Sequence, residues 1–153
     1  MPLIARYNKF MQLNQNTDFA LRTLIYLGTA DKLVRIRDIS DAYDISFNHL
    51  TKTVQQLVLA GYVKSKQGKN GGIQLALPPK QINLRRVVED IEKNLALVEC
   101  MGPNNLCVIS SKCLLKGIII NATEAFLKEL QTYTLEDILD TKKSLSRILK
   151  INT

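Results

Sequence analysis

The cysteines of this 153-residue chain are three, Cys100, Cys107 and Cys113, and all fall within one short segment. Their spacing is Cys-x6-Cys-x5-Cys, with Gly102, Pro103, Asn104 and Asn105 inside the first gap. A loop of this composition can curl and aim several sulfurs at one centre. Clustered thiolates are costly to assemble unless a metal or a disulfide holds them. Three thiolates leave a tetrahedral or cubane site one ligand short. Spacing alone leaves three chemistries open. An iron–sulfur cluster tolerates a foreign fourth ligand, and that iron becomes reactive. Zinc ordinarily takes Cys-x2-Cys pairs or an added histidine, and neither lies near the loop. The third is a redox disulfide with a spare thiol. An enzyme or electron carrier is the rival in a different class. An enzyme needs an acid–base group converging on the thiols, and only Glu99 and Lys112 are adjacent. The chain therefore reads as a binding protein and not an enzyme.

Charge points to the partner. The formal net charge is +7, and no acidic residue stands between Asp44 and Glu89. That window holds seven basic residues: Lys52, Lys64, Lys66, Lys69, Lys80, Arg85 and Arg86. The rest of the chain cancels, so the whole excess sits in one third of the molecule. A localised positive field fits a polyanion, most often nucleic acid, although a merely solvated basic face has the same composition. No apolar run is long enough to span a bilayer, and residues 1–10 lack the apolar core of a signal peptide. A cytoplasmic protein without membrane contact is expected, with residues 1–10 as an N-terminal extension.

These features need elements to position them. Asn16-Thr17-Asp18 opens a helical pattern in which Phe19, Leu21, Leu24, Ile25 and Leu27 make a largely buried helix, with Gly28 near its end. Arg35 to Tyr43 reads as a second, short helix. Asp44-Ile45-Ser46 is the turn, with Ser46 as N-cap of a third helix from Phe47 to Ala60 that stops at Gly61. Tyr62-Val63-Lys64-Ser65-Lys66 and Ile73-Gln74-Leu75-Ala76-Leu77 alternate as strands around the turn Gln67 to Gly72. Two short helices and a basic hairpin are the winged helix-turn-helix pattern. Ile82 to Leu97 reads as a further helix. From Leu114 a long helix carries Ile118, Ala122, Phe126 and Leu130 in one row, flanked by Leu115, Ile119 and Leu127. A stripe this wide needs a cover, and a second copy of the chain is expected to supply it in preference to the chain's own domain. Thr134 caps a last short helix, and the tail beyond Asp140 is expected to be loose. The fold class is mainly α with a small β-hairpin wing: a winged helix-turn-helix plus a long dimerisation helix. The expected division is 11–80 for the DNA-binding domain, 81–139 for the linker helix, cysteine loop and dimerisation helix, and 140–153 for the tail.

The third helix is expected to enter the major groove of double-stranded DNA. Ser46, Asn48, Thr51, Lys52 and Gln55 are its candidate contacts, short polar side chains near its start suiting base edges. Lys66 and Lys69, with Lys52, suit phosphates, while Asn70 and Gly71 belong to a wing turn whose backbone approaches the duplex. His49, the single histidine, reads as a packing or phosphate-contacting residue.

Taken together, several segments resemble a known family. They are Thr17-Asp18-Phe19-Ala20-Leu21-Arg22, Ser46-Phe47-Asn48-His49-Leu50, Gly68-Lys69-Asn70-Gly71-Gly72-Ile73, Leu97-Val98-Glu99-Cys100 and Tyr133 to Leu139. The chain from about Met11 to Leu139 is similar to the winged-helix iron–sulfur transcriptional regulators of the NsrR and IscR type. It looks most like their nitric-oxide-sensing branch, since no histidine follows Cys113 in Leu114-Leu115-Lys116-Gly117 as it does in the IscR type. The resemblance implies a homodimer on operator DNA and an iron–sulfur cluster on Cys100, Cys107 and Cys113, with four irons favoured over two. It further implies an aspartate at the Asp18 position, contributed by the partner subunit, as the fourth ligand. Nitric oxide attacking the cluster would loosen that bridge, free the operator and release genes for nitric oxide detoxification.

Overall fold

The computed structural model describes residues 12–151; the expected extension, residues 1–10, lies outside them. Helix α1 (Gln15–Ala30) starts slightly ahead of the expected Asn16, because the Asn14 side chain accepts the Thr17 backbone N–H and caps it. Its apolar residues face nearly all round. Ala20, Leu24 and Leu27 are almost inaccessible, so α1 is the central post of the core. Each fully buried leucine contributes about 1.5–3 kcal/mol.

Helices α2 (Ile36–Tyr43) and α3 (Phe47–Leu59) form the helix-turn-helix. The turn between them places Asp44 in the left-handed region, and Ile45 is buried beneath it. Ser46 occupies the N-cap of α3, but its hydroxyl makes no capping hydrogen bond, contrary to the sequence expectation. Leu50, Val54 and Leu57 bury one face of α3 against α1.

Strands β1 (Val63–Lys66) and β2 (Gly72–Leu75) pair antiparallel, with Val63 opposite Leu75 and Lys66 opposite Gly72. Two strands alone are marginal in water. Here Tyr62, Val63 and Ile73 sink into the core. Val34 adds a short third edge, exchanging backbone hydrogen bonds with Ile73 at 2.7 and 2.9 Å. This bridge ties the start of α2 to the wing.

Helix α4 (Leu84–Ile91) is half the expected length. Glu92 takes extended backbone angles and ends it, although Leu95 and Leu97 continue the apolar pattern. The cysteine segment follows, and then the long helix α5 (Leu115–Gln131). Arg85 pins α4 to α5: Nε donates to Glu89 at 2.8 Å, and the two Nη atoms grip the Glu124 carboxylate at 2.8 and 3.2 Å. Helix α6 (Leu135–Leu139) carries the Thr134–Asp137 capping box and buries Leu135.

The tail is not loose. Residues Lys142–Ile148 form α7, which packs on α1, and Ile151 is buried in the core. Two apolar residues, Leu149 and Ile151, pack on the core, and α1 supplies part of the receiving surface. One cluster joins Leu24, Leu50 and Ile73 with Ile82, Val87, Leu135 and Ile151, so segments on both sides of position 80 share a core. Among the described residues no helix is long and apolar enough to cross a membrane.

Candidate nucleic-acid interface and cysteine loop

Asn48, Lys52 and Gln55 lie on one exposed face of α3, at i, i+4 and i+7. Ser46 is exposed at the head of the same helix. Thr51 is half-buried and its hydroxyl donates to the Phe47 carbonyl oxygen at 2.8 Å, so that hydrogen is already committed. His49 is exposed but turned toward α1, where it borders a cleft with Asn16, Lys52 and Lys93. On the wing, Lys66, Lys69 and Asn70 are exposed. Gly68 has φ of +105°, and a side chain on Gly71 would collide with the Lys66 carbonyl oxygen. The Gly71 N–H closes the turn on the Gly68 oxygen at 2.9 Å.

The charge picture changes in one respect. Arg85 is neutralised by Glu89 and Glu124, so it does not add to the exposed field expected from the acid-free window. Its guanidinium holds the Glu124 carboxyl below the ordinary carboxylate range. Two cations that the window left out lie beside the wing. Arg35 and Arg37 border a cleft with Phe47 and Lys66, and the Arg37 guanidinium sits 4.4 Å from the Phe47 ring centre. Their neighbour Asp38 hid them from a search by net charge.

The cysteine segment begins with a short 3-10 turn, Glu99–Met101. Beyond it the chain is held by local contacts. The Glu99 carboxylate accepts the Leu106 N–H at 3.2 Å, and Asn105 Oδ1 accepts the Cys107 N–H at 3.0 Å. All three thiols are free and half-buried. Among the described residues no three His, Cys, Asp or Glu side chains gather as a ligand set. The expectation that the loop converges its sulfurs is therefore not met within one chain. The physical reason is the lack of an anchor: Leu106 and Val108, 83% and 95% exposed, bury almost nothing. Asp18 does not join the cysteines in a set either. It pairs with Arg22 at 2.8 Å on α1 and borders a cavity of about 750 Å³ with Leu21, Leu97, Ala122 and Phe126.

Two polar clusters that spacing could not reveal meet on the first turn of α1, one reaching Glu92 at the root of this loop and the other reaching α3. Glu92 receives the Asn14 N–H at 3.0 Å, the Asn14 side-chain amide at 2.6 Å and the Thr17 hydroxyl at 2.7 Å. In the same turn of α1, the Asn16 amide donates to Gln56 Oε1 at 2.6 Å and accepts from the Thr53 hydroxyl at 2.7 Å. Thr17 and Thr53 are inaccessible, so their two hydrogen bonds are partly shielded from water, whereas the Asn14–Glu92 pair is exposed. A second strut joins the wing base to α4, the buried Tyr62 hydroxyl donating to Asp90 at 2.5 Å. Burial first, and then this bond, push the Tyr62 phenol well above its ordinary range.

A helix-turn-helix beside a basic wing is the architecture of a winged-helix DNA-binding regulator. Comparison with known proteins narrows the class. The Rrf2 family, described as iron-dependent transcriptional regulators, matches residues 13–141. The HTH-type transcriptional regulator NsrR of Halalkalibacterium halodurans is 42% identical over 144 residues, spanning 92% of this chain and 99% of that one. NsrR of Bacillus subtilis is 40% identical over 144 residues, with the same coverage of 92% and 99%. Among solved structures, CymR (YrzC), the global cysteine regulator of B. subtilis, matches with a TM-score of 0.70 at 23% identity, over 86% of this chain and 98% of that one. T. potens IscR matches with a TM-score of 0.68 at 20% identity, over 85% and 87%. The two structures speak to the fold. The chain belongs to the Rrf2 family and is a DNA-binding transcriptional repressor, not an enzyme.

Proposed function

We propose that this chain represses transcription as a homodimer on operator DNA and senses nitric oxide through an iron–sulfur cluster. Cys100, Cys107 and Cys113 would hold it, with Asp18 of the partner subunit as fourth ligand. The donor set fits such a group: three free, half-buried thiols on a backbone with few hydrogen bonds can close on one centre. When bound, the cluster supplies iron that reacts with nitric oxide. The shared name of the curated relatives supports the same branch of the family.

The observation that carries the reading is that two polar clusters, one on Glu92 and one on α3, grip the same first turn of α1. Glu92 stands eight residues before Cys100 and clamps the turn of α1 that bears Asp18. Asn16, in that turn, grips Thr53 and Gln56 on the helix that faces the groove. A shift at the loop root or at Asp18 is thereby transmitted to α3. Release of the operator requires a differential affinity of several kcal/mol, and each lost base contact costs about 1–3 kcal/mol. Loss of register over a few base pairs is sufficient.

Protein prepared without oxygen should contain iron and sulfide, absorb visible light and release its operator on exposure to nitric oxide. Cys107→Ala should lose iron and operator binding together while remaining a dimer. One zinc per chain without iron, or a variant that still represses and still responds to nitric oxide, overturns the proposal.

A further inference from the structure

We propose that Arg37, aimed by the ring of Phe47, is a DNA-phosphate anchor that sets how deeply α3 seats in the groove. Arg37 is the second residue of α2. A cation there faces the positive end of the helix dipole, an unfavourable place for it. Among the described residues it has no carboxylate partner: the Asp38 carboxylate beside it instead accepts the Arg35 backbone N–H at 3.3 Å. What holds Arg37 is the aromatic face of Phe47, 4.4 Å from the guanidinium carbon, a cation–π contact. Phe47 is the first residue of α3 and is 37% exposed, so a large ring is kept at the surface where a polar residue costs nothing.

The surroundings identify the occupant. Arg37 borders an open cleft of about 640 Å³ between the start of α3 and the wing, together with Arg35, Lys66, Ser65 and Gly71. The Val34–Ile73 bridge ties the start of α2 to β2, so the backbone positions that carry the two arginines and Lys66 are held beside one cleft. Three cations face one carboxylate, Asp38, which is already engaged. The cleft opens on the same surface as the wing tip and the head of α3. A DNA backbone segment passing between wing and recognition helix fits that charge and shape. Guanidinium suits this task because its planar fork binds phosphate with two hydrogen bonds while its face stacks on an arene. The stacked arrangement pre-orders the fork before DNA arrives, and its rotamers are not lost on binding. This extends the contact set beyond the residues of α3 and the wing tip.

The test uses the full chain and a fluorescent duplex that the unaltered protein selects from a randomised pool. Affinity is measured by anisotropy across a salt series. Arg37→Ala should weaken binding about tenfold, as loss of a charged hydrogen bond does, and lower the salt slope by about one. Arg37→Lys should keep the slope and recover part of the affinity. Phe47→Leu should weaken binding several-fold with the slope intact, and Phe47→Tyr should restore it. Melting temperatures of all four variants should match that of the unaltered chain, since both side chains lie at the surface. Arg37→Ala with an unchanged slope overturns the proposal, as does Phe47→Leu with unchanged affinity. Lys69→Ala serves as reference: if it lowers the slope and Arg37→Ala does not, Arg37 alone is refuted and DNA binding stands. If the unaltered chain shows no salt-dependent duplex binding, both fall.

Discussion

At the scale of single residues, Asn16 is the position on which the proposed coupling turns. Its amide makes two hydrogen bonds to α3, each worth about 0.5–1.5 kcal/mol net. Asn16→Ala should cost about 1–3 kcal/mol of stability in a urea titration. Its sharper signature is functional: operator affinity of cluster-loaded and metal-stripped protein should converge. A ratio equal to that of the unaltered chain would remove Asn16 from the path. None of this was readable in the sequence. Asn16 and Thr53 are 37 positions apart, and Thr17 and Glu92 are 75 apart. Spacing rules see neighbours on one helix face, and only folding brings these pairs together. The cysteines were readable as donors because their chemistry is local. Their convergence was not, because it depends on what the loop packs against.

At the scale of elements, the helices that periodicity located are those with a strong apolar stripe. α1 and α3 agree with expectation within a residue or two, since Leu24, Leu27, Leu50, Val54 and Leu57 all carry the 3.6 period into the core. α4 was overextended because Glu92 leaves the helix to cap α1, a tertiary contact. α7 was missed because its few apolar residues needed the surface of α1. The clamp between α4 and α5 yields a pH prediction. Glu124 has its carboxyl pKa lowered in the fold, chiefly by its hydrogen bonds with Arg85. A group with a depressed folded pKa stabilises the fold above its unfolded pKa, and that contribution disappears as pH falls through the folded value. The docking of α5 on α4 should therefore weaken on the acid side of the ordinary carboxylate range and be unaffected near neutrality. Thermal melts against pH should show an acid limb that Glu124→Gln makes shallower. Identical limbs in both proteins would assign the acid sensitivity to other carboxylates, such as Asp137 in the α6 capping box.

At the scale of the whole molecule, Leu114 at the N-cap of α5 and Leu115, Ile118 and Ile120 in its first turns are exposed. Leu114, Leu115 and Ile118 share one side, and an exposed apolar face of that kind calls for a cover. In the proposed dimer a second α5 supplies it, and the two α3 helices are then held at half-site separation. Burying one isoleucine is worth about 1.5–3 kcal/mol, so Ile118→Glu in both copies should weaken association by about a hundredfold or more. Sedimentation at micromolar concentration checks this. A variant that sediments as the unaltered chain does would place the dimer contact elsewhere. The winged-helix class was legible from patterning, because two helices, a turn and an alternating hairpin are each short-range signals. How the halves share one core was not, since Ile82, Leu135 and Ile151 reach Leu24 only in three dimensions.

The wing turn has a practical consequence. Its path is dictated by Gly68 and Gly71, whose backbone geometry excludes side chains, and not by the two residues between them. Lys69 and Asn70 thus sit on a preformed scaffold as an exchangeable pair. Libraries randomised at those two codons should yield folded proteins with altered DNA affinity, whereas any library that includes position 71 should be dominated by misshapen tips.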